Sequence, residues 1–137
     1  MQPNPQLERY LQLLSEASLS AEAIDQHAAR ITYDGIEFVL VVAADEPAFF
    51  QLMLPNAWQA DAGTDRAVLL DAINDVMNTI KAAKLVIIGE NVHVSVEQFV
   101  SGPEQGAALM PGLMELLRSA VAELHERLGM GEAPKLH

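Results

Sequence analysis

The chain of 137 residues contains no cysteine. That excludes disulfides, thiolate nucleophiles and zinc–thiolate sites together, and it fits a reducing cytoplasm. Aromatics are scarce, with one Trp, two Tyr and four Phe, so a core must be built mainly from Leu, Ile, Val and Met. Basic residues are few: eight Lys and Arg stand against nineteen Asp and Glu, for a formal net charge of −11. Phosphate backbones and anionic lipid surfaces are met by basic stripes. The nearest approach to one is Lys81 with Lys84, so neither nucleic acid nor a membrane is an expected partner. The longest apolar runs, such as Phe38 to Ala44, are far too short to span a bilayer. The start, Met1-Gln2-Pro3-Asn4-Pro5, has neither the basic nor the apolar stretch of a signal peptide. A cytoplasmic location is expected.

Half of the residues are hydrophobic, enough for a core, and the length suits one domain. The reading is a single domain over 1–137, with an ordered core over about 5–129 and a loose tail over 130–137. Asn4-Pro5 is a helix start, with Asn as cap and Pro at the first helical position. Leu7, Tyr10, Leu11 and Leu14 then recur at helical spacing, and the helix is expected to end near Ala17. Leu19 to Ala29 has no continuous apolar stripe and reads as a connection.

Strands follow. Ile31 to Tyr33 leads through Asp34-Gly35, a strong hairpin signal, into a strand over Ile36–Ala44. A third strand is expected over Phe49–Leu54, stopped by Pro55-Asn56. Thr64 can cap a helix whose stripe is Leu69, Ile73, Val76, Met77 and Ile80. Leu85 to Ile88, a turn at Gly89-Glu90-Asn91, and Val92 to Val100 form a second hairpin. A last helix is expected to begin near Pro111 and end at Gly129. The order is α-β-β-β-α-β-β-α. Short connections between strands imply antiparallel pairing, so the fold class is α+β, with a single antiparallel sheet of about five strands packed with helices.

No spacing marks a catalytic, metal or cofactor site. His27, His93, His125 and His137 do not pair along a helix and read as ordinary surface histidines. Asp71 and Asp75 are one helical turn apart but lie opposite the apolar stripe, where solvated charges belong. None of the six serines sits in a Gly-x-Ser-x-Gly elbow. Gly102-Pro103-Glu104-Gln105-Gly106 lacks the lysine and spacing of a phosphate loop and reads as a turn.

Several residues invite a binding or structural role. Asn is a mediocre helix former, so Asn74 and Asn78 are candidates, with Asn74 expected to tether its helix to a neighbouring strand. Met53, Met77, Met110 and Met114 can wall an adaptable groove or fill a core. Trp58, expected at the sheet edge, can anchor a partner or close the core beneath a loop.

Four stretches taken in order resemble a known family: Phe49-Phe50-Gln51-Leu52-Met53-Leu54-Pro55-Asn56-Ala57-Trp58, Ala72-Ile73-Asn74-Asp75-Val76-Met77-Asn78, Lys81-Ala82-Ala83-Lys84-Leu85 and Val94-Ser95-Val96-Glu97-Gln98-Phe99. Together they resemble the YbjN-type proteins, described as candidate bacterial regulators of sensory transduction and similar in fold to type III secretion chaperones. The resemblance spans about Leu7 to Leu128. It implies the same α-β-β-β-α-β-β-α order; no catalytic residue carries over from it, and no cofactor is expected. The chaperone relatives bind extended or partly unfolded protein segments, often as dimers. Asn74, Asn78 and Glu97 match recurrent positions of the family. The expectation is therefore a non-enzymatic protein- or peptide-binding module, a regulator, working as a homodimer. The alternative is a small enzyme or ligand-binding protein whose pocket the linear sequence hides. The −11 charge leads one to expect basic, apolar peptides as ligands.

Overall fold

The computed structural model describes residues 2–61 and 63–129; the tail expected to be loose, with His137, lies outside them. Three helices and six strands follow one another as α1 (Pro5–Glu16), β1 (Ser20–Ala23), β2 (Ala28–Tyr33), β3 (Ile36–Val41), β4 (Phe49–Gln59), α2 (Arg66–Thr79), β5 (Lys84–Ile88), β6 (Asn91–Phe99) and α3 (Pro103–Arg127). The strands make one antiparallel sheet in the order β1-β2-β3-β4-β6-β5. The chain divides into two compact units, one of residues up to Met53 with Val96–Met114, the other of Leu54–Ser95 with Glu115 onward.

In the first unit α1 starts as its sequence dictates. Asn4 Oδ1 accepts from Leu7 N at 2.9 Å, and Pro5 opens the first turn. The Asn4 amide does more than cap. Its Nδ2 donates to Gln26 O at 2.9 Å and to Val42 O at 2.8 Å, and Asn4 N also donates to Gln26 O. One side chain thus ties a helix start to a hairpin turn and to the end of a strand. Leu7, Tyr10 and Leu14 bury the inner face of α1, and Ile31, Phe38, Leu40, Phe50, Leu52, Met110 and Met114 are likewise fully buried. Each large apolar side chain so buried contributes roughly 1.5–3 kcal/mol before entropy is counted.

The segment expected to be a connection is a strand. Ser20–Ala23 pairs antiparallel with β2, from Ser20 opposite Thr32 to Ala23 opposite Ala29. Its small side chains gave no apolar alternation to read. The turn before β2 is held by Asp25, whose Oδ1 accepts from His27 N and Ala28 N. This adds a sixth strand to the expected sheet. The Asp34-Gly35 hairpin forms as expected between β2 and β3. Both turn residues take positive φ, 52° and 77°, the left-handed pair that a type I′ turn requires.

Three boundaries differ from expectation. β4 does not stop at Pro55 but runs on to Gln59. Its pairing with β3 covers Gln51–Met53, so the missing N–H of Pro55 breaks no bond on that side, and Asn56 takes a positive φ of 53° just beyond. Helix α3 begins at Pro103, not near Pro111, and Pro103–Gly106 is its first turn, not a loop. Pro103 sits where a helix tolerates proline, and Gln105 Oε1 accepts from Ser101 N at 2.6 Å to satisfy the entering backbone. Pro111 lies inside the helix. Thr64 does not cap α2; Asp65 does, accepting from Ala67 N and Val68 N, while Thr64 Oγ1 accepts from Asp61 N.

In the second unit α2 buries Leu69, Ala72, Ile73 and Val76. β5 and β6 form the expected hairpin, with Lys84 opposite Ser95 and Ile88 opposite Asn91. Leu85, Val92, Val94, Leu117 and Leu124 are also buried there.

Candidate binding surface

The predicted stripe of α2 splits once the helix is seated. Leu69, Ala72, Ile73 and Val76 are buried, but Met77 is 40% exposed and so is Leu70 at 47%. At 3.6 residues per turn, Arg66, Leu70, Ile73, Asn74 and Met77 form a second face beside the buried one. That face and Leu85, Val86 and Ile87 of β5 enclose an open groove of about 510 Å³. The size lies in the range of ligand clefts. Three consecutive residues of a strand line it, so it runs along the strand and not only over one of its faces. Among the described residues β5 has only β6 as a neighbour in the sheet, and such an edge presents a row of backbone donors and acceptors to an added strand.

Arg66 is the anomaly of this face. It is the first residue of α2, and no acidic residue stands in that first turn. A helix N-terminus favours anions, and a cation there costs about 0.3–1 kcal/mol.

A second cavity, of about 300 Å³, is lined by Trp58, Gln59, Asp61, Gly63, Thr64, Asp65, Val68 and Leu128. One oxygen of each of its two carboxylates is engaged locally: Asp61 Oδ1 accepts from Gly63 N and Thr64 Oγ1, and Asp65 Oδ1 accepts from Ala67 N.

The expected site residues separate. Met110 and Met114 are fully buried and wall no open groove. Met53 is half-buried on β4, and Met77 alone of the four methionines lines the groove. Trp58 is half-buried near the end of β4, an inner strand, and belongs to the smaller cavity instead of a sheet edge. Asn74 lines the groove, and Asn78 lies on the exposed side of α2. The Asn74 amide is exposed and tethers nothing; Asn4 performs that task in the other unit.

The described histidines are all held by structure. His93 Nδ1 accepts from Asn56 N at 3.2 Å, so its proton sits on Nε2. His125 Nε2 faces Ala57 O at 2.8 Å and donates to it. His27 Nδ1 lies 3.3 Å from the Asn4 amide nitrogen. Among the described residues no group of three His, Asp or Glu is placed to hold a metal ion. No described helix is long and apolar enough to cross a membrane.

Leu70 and Arg66 went unnoticed in the sequence. Each carried a signal: a large apolar residue off the buried stripe, and a cation at the helix end that disfavours one.

No family model matches the chain, and no curated protein matches it in sequence. Solved structures do. An uncharacterized protein from Methanothermobacter thermautotrophicus superposes with a TM-score of 0.61 at 13% identity, covering 89% of this chain and 98% of that one. YbjN from E. coli, described as a candidate transcription regulator, superposes with a TM-score of 0.61 at 17% identity, covering 89% of this chain and 94% of its own. The YbjN-type fold expected from the resemblance is the fold of this chain. Neither neighbour is described as an enzyme.

Proposed function

We propose that this chain of YbjN-type fold is a non-enzymatic cytoplasmic module that binds a protein or peptide segment by strand addition along β5. The observation that supports the reading is the pairing of an open edge strand with an apolar groove beside it. The edge supplies main-chain hydrogen bonds that accept many sequences, and the groove supplies pockets for alternate side chains. Met77 at its rim repacks readily around different apolar partners. A description as a candidate regulator, given to the E. coli neighbour, is compatible with such a role.

The test is an amide-resolved NMR titration of the full chain with a short apolar strand-forming peptide. Shifts and slowed hydrogen exchange should concentrate in Lys84–Ile88 and on the Leu70 and Met77 face of α2. Perturbation confined to other elements, or none at saturating peptide, would overturn the reading.

A further inference from the structure

One cation lines the groove between α2 and β5, and two more follow in the turn to β5 and at its start, in a protein that has few. Arg66 lines it at the N-terminal end of α2. Lys81, in the short turn from α2 into β5, and Lys84, the first residue of β5, stand at the opposite end. The turn is short, so helix and strand run in opposite directions, which puts Arg66 near the Ile87 end of the strand and Lys81 near the Leu85 end.

Elsewhere among the described residues the arginines are paired, and Lys84 is itself engaged. Arg9 meets Glu104 at 2.8 Å, Arg30 meets Glu22 at 2.9 Å, and Arg127 meets Glu123 at 2.9 Å. Among the described residues Arg66 and Lys81 have no ion-pair partner. Three of the four acids near them are otherwise engaged or turned away. The Asp65 carboxylate caps α2, Asp75 pairs with Arg127 at 3.5 Å, and Asp71 lies on the far face of the helix. Glu90 stands in the β5–β6 turn.

We infer that the occupant of this groove is an extended apolar segment of another protein carrying an acidic residue at each end, one for Arg66 and one for Lys81. This rests on the strand-binding reading above and names its ligand class. A strand crosses the five residues of β5 in roughly 17 Å at about 3.3 Å per residue, so the two acids stand about six positions apart. A second copy of the chain fits less well. Antiparallel pairing of β5 with its twin about a two-fold axis lays the Arg66 end of each copy against the Lys81 end of the other, cation against cation.

The net charge of −11 pulls the other way, toward basic ligands, but it acts at long range. At physiological salt the screening length is about 8 Å, so contacts inside the groove outweigh distant carboxylates. The preference for acidic ends should therefore grow as salt rises from about 20 mM to about 150 mM, while the repelling field is screened first.

The experiment uses fluorescent peptides of about seven residues, a β-branched strand sequence with acidic, neutral or lysine ends, titrated into the full chain and read by anisotropy. At physiological salt the acidic-ended peptide should bind roughly tenfold more tightly than the lysine-ended one. The double variant Arg66→Glu, Lys81→Glu should reverse that order. Both residues lie at the surface, and circular dichroism verifies that the variant folds. Equal affinity for acidic and lysine ends, with the neutral peptide also bound, overturns this inference and leaves the strand-binding reading standing. No binding of any peptide, with Leu70→Asp also without effect, removes both. A dimer in light scattering that Leu70→Asp dissociates assigns the groove to a second copy and overturns the inference.

Discussion

The sheet has two edges, and they are finished differently. β1 is four residues of Ser, Ala and Glu. Its one long side chain, Glu22, is 2.9 Å from Arg30 on the neighbouring strand, and Arg30 also reaches Glu37 at 3.5 Å. Helix α1 packs beside it. Shortness, charge and cover are the usual means by which an edge avoids pairing with other chains. β5 has none of the three in full. After Lys84 it is Leu-Val-Ile-Ile, Ile88 is 59% exposed, and α2 stands beside it to form a groove and leaves it uncovered. An apolar edge in a chain that elsewhere guards its edge is the contrast on which the proposed strand-binding surface rests.

The largest effect should come from removing what fixes the guarded edge. Asn4 joins the start of α1 to Gln26 in the β1–β2 turn and to Val42. Asn4→Ala removes a cap and takes the side-chain donor from the buried Val42 carbonyl, while Gln26 O keeps the bond from the backbone N–H of residue 4, at a cost of ~2–4 kcal/mol. Chemical denaturation gives the number, and amide exchange at Ala23 to Ala29 should quicken. A cost under about 1 kcal/mol would show that the β1 edge is held by something else.

Next comes the seat of α1. A β-carbon on Gly106 would collide with the ring of Tyr10, so Gly106→Ala should cost ~1–3 kcal/mol through overpacking. The Tyr10 hydroxyl is buried with no hydrogen-bond partner among the described residues. Burial first, and the charge of Glu104 second, raise its pKa from 10.0 to about 12. A folded value above the unfolded one means that the neutral phenol's contribution is complete below pH 10 and is lost as pH climbs toward about 12. Tyr10→Phe should leave stability at neutral pH unchanged or slightly higher, since an orphan hydroxyl is removed, and should flatten the decline across that alkaline window. An unchanged alkaline slope in the variant would place the titration elsewhere.

The contrast between edges was only half legible in the sequence. The turn chemistry of Asp34-Gly35 and the Val92–Val96 alternation are local signals, and they placed two hairpins correctly. β1 was missed because Ser and Ala carry no apolar alternation; pairing with β2 makes it a strand. Pro55 and Pro111 misled because a proline breaks an element only where its N–H is needed or its ring clashes, which depends on neighbours the sequence does not display. The groove was missed for a related reason. Leu69 and Leu70 are adjacent and equally apolar, and only the seating of α2 decides that one is buried and the other open. Asn4 and Asn74 teach the same lesson. Both were marked, the first as a cap and the second as a tether, and the fold gives both tasks to the first.

Inside the groove the stability effects should be small and the binding effects large. Met77 and Asn74 are both exposed, so Met77→Glu and Asn74→Ala should each move stability by no more than about 0.5 kcal/mol. Met77→Glu should nonetheless weaken strand-peptide binding at least roughly tenfold, because it sets a charge against apolar pockets. A stability loss near 2 kcal/mol for Asn74→Ala would restore the tether and blur the line between groove and core.

The smallest stability change tests the comparison itself. Glu22→Val strips the charge from β1 and leaves a neutral strand, closer to β5. The ion pair it removes is exposed on both partners, and such pairs are worth about 0–1 kcal/mol, while the β-branched replacement suits a strand. Net stability should stay within about 0.5 kcal/mol. If an open edge were sufficient for binding, this variant would acquire a second peptide site. It should not. A strand added to β1 would gain main-chain bonds along four residues only, with no apolar groove beside them to offset the entropy of ordering the peptide. Titration of the variant should therefore give the stoichiometry of the parent, with binding still abolished by Leu70→Asp. A second site on β1 of comparable affinity would mean that the backbone edge alone recruits the ligand, and the groove on α2 would lose its part in the account.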